Sequence, residues 1–273
     1  MQIAKTVSDL MVKRAEFKGT VGFVPTMGAL HAGHLTLIKE AKKLCDFVVV
    51  SLFVNPTQFL AGEDLDSYPR KMQADELLCR AGGVDLMFVP DISEIYGADE
   101  VKICAPKVAG FVLEGAFRPS HFDGVLTVVN KLFNIVKPTK AFFGKKDAQQ
   151  LILIEKMVKN LFIDIEIVPV NTVRESTGLA LSSRNSYLDK DGLISAQKLS
   201  NALFEASKLI KQNIIRSDDI KRKILDSLKP LDVDYIEIVN RDLMQIDSVI
   251  KGETIILIAA KVNGVRLIDN MWV

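Results

Sequence analysis

The sequence predicts an α/β protein, a doubly wound (Rossmann-like) parallel sheet followed by a smaller C-terminal α+β domain. Three observations lead there. Short apolar runs of strand length recur at Val21–Val24, Phe47–Val54, Leu86–Val89, Ala141–Phe143 and Ile165–Val170. Between them lie segments with helical spacing: Leu35, Leu37, Ile38, Ala41 and Leu44; Leu126, Val129, Leu132, Phe133 and Val136; Leu151, Ile154, Met157, Val158 and Leu161. Continuously apolar strands are those buried on both faces, and their alternation with amphipathic helices is the pattern of a covered parallel sheet. The third observation is a change of character after Asn185. One helix is expected from Asp191 to about Asn213, and Ser217-Asp218-Asp219 reads as the cap of a second that stops before Pro230. Three strand-like stretches follow, Tyr235–Val239, Thr254–Ala260 and Val265–Ile268. The expected domains are therefore 1–180 and 181–273.

Composition narrows the function classes. A length of 273 residues suits one large domain or two unequal ones, and 48% hydrophobic with 25% charged residues matches an ordinary globular chain. The 35 Lys+Arg and 34 Asp+Glu leave a formal charge of +1. No bulk attraction to nucleic acid or to anionic lipid results, so neither is an expected partner. An anionic ligand must be caught by locally placed cations and backbone dipoles. Three cysteines, Cys45, Cys79 and Cys104, show no CxxC spacing. That argues against a disulfide scaffold or a Cys-rich zinc site. The N-terminal segment is charged throughout and lacks a signal-length apolar core, and no apolar stretch approaches the roughly 20 residues that span a bilayer. A cytoplasmic location is expected.

In an open parallel sheet, ligands bind beyond the carboxyl ends of the strands. Polar residues gather after four predicted strands. Pro25-Thr26-Met27-Gly28-Ala29-Leu30-His31-Ala32-Gly33-His34 follows the first, and Asn55-Pro56-Thr57-Gln58-Phe59 the second. Gly144-Lys145-Lys146-Asp147-Ala148-Gln149-Gln150 follows Phe143; Thr172-Val173-Arg174 and then Leu181-Ser182-Ser183-Arg184-Asn185 follow Val170. His31 and His34 would share a helix face. Gly33 would clear space for a flat ligand, and the free N–H groups of a helix start favour an anion. Two imidazoles there can donate to phosphate; alternatively, His34 is a helix-start histidine satisfied by a nearby carbonyl. The chain has three histidines, His31, His34 and His121, and three can also make a catalytic zinc site. Neither a GxxxxGK[ST] run nor a GxGxxG after the first strand is present.

Six blocks in one order, PTMGALHAGH (25–34), FVNPTQF (53–59), EDLDSYPR (63–70), FRPSHFDGV (117–125), FFGKKDAQQL (142–151) and GLALSSRNSYL (178–188), resemble the pantoate–β-alanine ligase (pantothenate synthetase) family. HxGH alone is shared across the wider HIGH-motif nucleotidyltransferase superfamily; the colinear set is specific. The resemblance implies an AMP-forming ligase. The carboxylate of (R)-pantoate attacks the α-phosphorus of ATP, and the amine of β-alanine then attacks the pantoyl adenylate. It implies a Rossmann-like domain (1–180) for ATP and pantoate, a C-terminal lid (181–273), a homodimer, and Mg2+ held mainly by the phosphates, with Asp75 as a possible helper.

By the same resemblance the ATP site comprises Met27, Gly28, Ala29, Leu30, His31, Ala32, Gly33, His34, Gly144, Lys145, Lys146, Asp147, Val173, Leu181, Ser182, Ser183 and Arg184. The catalytic set is His34, His31, Lys146 and Arg184, with no protein metal ligands. Gln58, Gln150 and Asn55 match the pantoate pocket. Neutral amides suit it, because a full ion pair would blunt the nucleophilic carboxylate. Arg118 and His121 are left between ligand contact and loop support, and Tyr68 and Arg70 between a flap and the dimer contact. Lys145 is either a second cation or a solvated lysine. Ala148 is small where many relatives carry an aromatic.

Overall fold

The computed structural model describes residues 1–273. It divides into two compact units, Met1–Lys145 with Gln149–Asn171, and Lys146–Ala148 with Thr172–Val273. Where the sequence suggests a boundary at 180/181, the structure's second unit begins at Thr172 and also takes in the short Lys146–Ala148 segment.

The first unit runs β1 (Gln2–Ala4), α1 (Val7–Ala15), β2 (Val21–Thr26), α2 (Ala32–Leu44), β3 (Phe47–Leu52), α3 (Met72–Gly82), β4 (Leu86–Phe88), α4 (Ile92–Ile95), α5 (Glu114–Phe117), α6 (His121–Val136), β5 (Lys140–Gly144), α7 (Ala148–Asn160) and β6 (Glu166–Val170). The sheet is parallel throughout, in the order β1-β4-β3-β2-β5-β6. The five strands read from apolar runs are all present; β1, three residues long, offered no such run. From β2 the chain winds outward through β3 and β4 on one side and, later, through β5 and β6 on the other. The switch point therefore lies between β2 and β5, where such folds bind ligands. β2 pairs with β3 at six positions but with β5 only at Gly22 and Phe23. Pro25 lies beyond that short ladder and has no N–H with which to extend one. The apolar stripe of α2, through Ile38 and Ala41, packs among Val24, Val48, Val50, Cys79 and Met87, all buried.

In the second unit, α8 (Lys190–Lys211) and α9 (Ser217–Leu228) cover an antiparallel sheet, β7 (Asp232–Val239), β8 (Ile255–Val262) and β9 (Val265–Trp272), in that order. Leu199, Leu203, Ile220, Ile224 and Leu228 meet Ile238, Ile256 and Ile258 in its core. Truncating one of these to Ala would cost about 2–5 kcal/mol. The expected capping role of Ser217 does not hold. α9 starts at Ser217 itself, behind Arg216, and the Ser217 hydroxyl donates to the carbonyl of Ile246, tying the helix start to a loop. β9 extends to Trp272, so Asp269 and Asn270 are strand residues. No helix of the chain is long and apolar enough to cross a membrane.

Candidate active site

β2 ends in a turn that its own side chains organise. The Thr26 hydroxyl donates to the Ser51 carbonyl over 2.7 Å and accepts the Gly28 N–H at 3.2 Å. Gly28 and Ala29 both adopt left-handed backbone, φ +85° and +50°, which reverses the chain towards α2. The exposed N–H groups of this reversal are taken by Asp75, from the first turn of α3. Its Oδ2 accepts Ala29 N–H at 2.9 Å and its Oδ1 accepts Leu30 N–H at 2.7 Å. Asp75 is 3% exposed. Both oxygens hold backbone N–H groups, which gives Asp75 a structural task in this turn. A Cβ at position 28 would also lie 3.1 Å from Asp75 Oδ2, a second reason for glycine.

His31 and His34 do not share a helix face, because α2 begins at Ala32 and leaves His31 outside as the N-cap, in extended backbone. The two form a reciprocal capping box. His31 Nδ1 accepts the Gly33 N–H at 3.1 Å, and His34 Nδ1 accepts the His31 N–H at 3.2 Å. His34 Nδ1 is thus engaged by a backbone donor. A nitrogen that accepts carries no proton, so we assign both rings the tautomer with hydrogen on Nε2. The ring centroids are 4.1 Å apart. Gly33 serves this cap rather than a flat ligand, since a Cβ there would come within 2.9 Å of His31 Cε1.

The second loop is held from all sides. Asn55, 1% exposed, caps the short 3-10 turn Pro56–Gln58. Its Oδ1 accepts from Thr57 N–H, the Thr57 hydroxyl and the Tyr96 hydroxyl, the last at 2.7 Å. Its Nδ2 donates to Gln58 Oε1 at 3.0 Å and to Gly124 O at 3.2 Å. Every polar capacity of Asn55 is used, so the residue expected beside a substrate is instead the support of Gln58. Gln58 Nε2 approaches Met27 Sδ at 3.1 Å, linking this loop to the β2 turn. α6 presses against the same turn through Gly124, where a Cβ would stand 2.3 Å from Thr57 O.

His121 and Arg118 hold Gln58 by its backbone. The Gln58 carbonyl accepts from His121 Nδ1 at 2.7 Å and from Arg118 Nη2 at 3.3 Å. His121 Nε2 then faces Arg118 Nη1 at 3.1 Å and must accept from it. Glu63 takes Arg118 with both oxygens, at 2.6 and 2.7 Å. Through Nε, Nη1 and Nη2, Arg118 braces the Gln58 loop. Burial, reinforced by the Arg118 charge, pushes the His121 pKa from 6.5 down to about 4, so the ring is neutral. Burial pushes Glu63 up, but the Arg118 hydrogen bond, Leu60 N–H and the Arg118 charge outweigh it and leave its pKa below the ordinary value. The three histidines form no metal cluster, nor do any three His, Cys, Asp or Glu side chains. The three-histidine zinc reading is thereby overturned. Tyr68 is buried edge-on to Phe59, centroids 5.9 Å apart, while Arg70 is exposed.

Further along the chain, Gly144 ends β5 beside Val170, and Lys145 N–H donates to Val170 O at 2.8 Å. Of the adjacent glutamines on α7, Gln149 is buried and consumed: Oε1 accepts Glu114 N–H at 2.9 Å, and Nε2 donates to the Ala109 and Val112 carbonyls, both at 2.8 Å. Gln150 remains half-buried, and Ala148 is fully buried. In the second unit, Lys146 Nζ lies 3.5 Å from Asp147 Oδ1. Val173 O accepts Leu181 N–H at 3.0 Å, which closes a hairpin. Ser182 caps a 3-10 turn (Ser183–Tyr187) by accepting Arg184 N–H at 3.3 Å.

Tyr96, Gly124 and the bracing roles of Asp75 and Glu63 are what sequence reasoning missed. Gly124, an unexplained glycine inside a strongly apolar helix, was the readable signal among them.

A doubly wound sheet with imidazole donors at a helix start and an amide-bearing loop beside it defines an α/β enzyme class that handles a nucleotide without a glycine-rich phosphate loop. Comparison with known proteins gives the family. A family model described as pantoate-beta-alanine ligase matches residues 2–272, and the chain belongs to that family. It is 55% identical to the pantothenate synthetase of Campylobacter fetus subsp. fetus and 54% to that of Wolinella succinogenes, over 100% of each pair of chains. The crystal structure of pantothenate synthetase from Thermus thermophilus is similar, with a TM-score of 0.94, 40% identity and 99% of both chains covered. A pantoate-beta-alanine ligase from Francisella tularensis, complexed with beta-gamma ATP and beta-alanine, superimposes with a TM-score of 0.82 and 36% identity, covering 100% of this chain and 97% of that one.

Proposed function

We propose that this chain joins (R)-pantoate to β-alanine using ATP, through pantoyl adenylate. In the first step a pantoate carboxylate oxygen bonds to the α-phosphorus and the bond to the pyrophosphate oxygen breaks. In the second the β-alanine amine bonds to the acyl carbon, AMP leaves and the amine loses a proton. The observation that supports this reading best is the capping box of α2. By accepting backbone N–H groups through Nδ1, His31 and His34 keep Nε2–H as donors beside a helix start, where charge grows on phosphate oxygens in the transition state. We assign His34 the leading role and His31 the reinforcing one, with the HxGH turn acting as in the HIGH superfamily.

Met27 to Leu30 line the nucleotide turn, its shape held by Asp75. Gln58 and Gln150 bind pantoate through neutral amides that leave its carboxylate nucleophilic. In the second unit, Lys146 and Arg184 are the cations assigned to phosphate, Ser182 and Ser183 the hydroxyl donors, Val173 the backbone contact for adenine, and Asp147 the partner of a ribose hydroxyl. Magnesium is assigned to ATP as part of the substrate, held mainly by the phosphates. The family resemblance supports a homodimer, measurable by light scattering. Three free cysteines fit a reducing cytoplasm.

The test supplies substrates one at a time. ATP with pantoate alone should release pyrophosphate stoichiometrically with enzyme, and β-alanine should start turnover to AMP. Steady hydrolysis of ATP with neither acid present would contradict the assignment.

A further inference from the structure

We propose that Asp269 and Asn270, consecutive residues of β9, are positioning residues that set two nucleotide-handling segments from one short stretch of strand. The proposal rests on the reading of Lys146 and Val173 as ATP contacts. Asn270, 4% exposed, donates from Nδ2 to the Lys146 carbonyl over 2.6 Å. The Lys146 ammonium, by contrast, reaches Asp147 only at 3.5 Å. The backbone of the lysine is therefore fixed while its long side chain keeps the freedom to follow a phosphate.

Asp269, 3% exposed, receives Arg174 in a two-pronged pair, Nη1 to Oδ2 at 2.6 Å and Nη2 to Oδ1 at 2.8 Å. The same guanidinium donates to Gly178 O at 3.1 Å and to Asn270 O at 3.2 Å. Arg174 follows Val173 directly and pairs with Ala180 across the hairpin. Asp269 Oδ1 also accepts the Asn270 N–H at 2.7 Å, which stiffens the junction between the two anchors. Two loops distant in sequence thus take their positions from neighbouring residues near the C-terminus. A displacement of about 1 Å between reacting partners can lower a rate by about 10²-fold, so a shared reference of this kind bears on rate and not only on folding.

Asn270→Asp keeps the side-chain shape but turns a carboxylate oxygen towards the Lys146 carbonyl; Asn270→Ala removes the donor without adding repulsion. Each should lower pantoate-dependent ATP–pyrophosphate exchange by about tenfold or more, with Asp the worse, while KM for β-alanine stays unchanged. Thermal denaturation reports whether each variant folds, and Asn270→Ala serves if Asn270→Asp does not. A double-mutant cycle with Lys146→Ala separates the claims. If Lys146→Ala alone leaves exchange at the wild-type rate, the reading of Lys146 fails. If Lys146→Ala is impaired, adding Asn270→Ala should cost little more; independent, multiplying losses would overturn the positioning role. Full activity of folded Asn270→Ala would overturn it as well.

Discussion

Two helix starts of the first unit carry histidine, and they use it in opposite ways. At α2, His31 and His34 accept backbone N–H groups through Nδ1, which leaves the ring proton on Nε2. At α6, His121 donates through Nδ1 to the Gln58 carbonyl and accepts at Nε2 from Arg118, with only 7% of its surface exposed. Residue type is alike; the helix position, N-cap and N3 at α2 against the first helical residue at α6, and the backbone group opposite Nδ1 differ. The difference teaches that helix capping can prepare a donor for chemistry at one site, and a guanidinium with a carbonyl can consume the same ring as a brace at another. Substitutions at the two starts should therefore fail differently.

The largest effect is expected from His34→Ala, which removes a donor aimed at developing charge: adenylation should fall about 10²–10³-fold. Loss of its half of the cap would cost about 1 kcal/mol. Pyrophosphate release with pantoate alone measures the first and urea unfolding the second, and near-normal adenylation would remove the catalytic assignment. Next comes Gly124→Ala on the bracing side. The new methyl meets backbone at Thr57, which cannot turn aside, so α6 and the Gln58 turn must separate. A fall in kcat/KM for pantoate of about 10²-fold is expected, with a loss of about 1–3 kcal/mol in stability.

The third prediction concerns pH and belongs to His121. The unfolded chain binds this proton near pH 6.5 and the folded chain near 4, with Arg118, Glu63 and Glu114 the charges that face the ring. Between those values the unfolded state holds more protons, so stability rises with pH and is lost as pH falls from about 6.5 towards 4. The loss approaches about 3 kcal/mol at its full extent. Glu63, its pKa lowered, acts in the same sense below its ordinary value of 4.5. His121→Asn keeps a donor near Nδ1 and has no titration, so unfolding measured from pH 7 to 4.5 should show a flatter slope than the parent. The smallest effect is expected at Gly33→Ala, where the added methyl meets an imidazole that can rotate: about a tenfold loss in adenylation, read from the same pyrophosphate assay.

Much of this architecture was legible in the sequence. Apolar runs marked five of the six parallel strands because burial on both faces leaves a local imprint, and the rule for strand ends then located the polar loops. What stayed hidden depends on contacts far along the chain. Asp75 was expected only as a possible helper for magnesium, yet it serves N–H groups 45 and 46 positions away. Asn55 looked like a substrate amide because nothing local shows that Tyr96 and Gly124 exhaust it. Gly33 looked like room for a ligand because its real neighbour is fixed only by the His31 rotamer. Asp269 and Asn270 lay past the stretch Val265–Ile268 in which the last strand was recognised.

With only three histidines in the chain, their tautomers can be read directly from the side-chain nitrogens by 15N NMR at neutral pH, with single substitutions for assignment. Two rings protonated at Nε2 alone, His31 and His34, and one protonated at Nδ1 alone, His121, is the pattern this arrangement predicts. A proton on Nδ1 of His34, or on Nε2 of His121 in place of Nδ1, would contradict it.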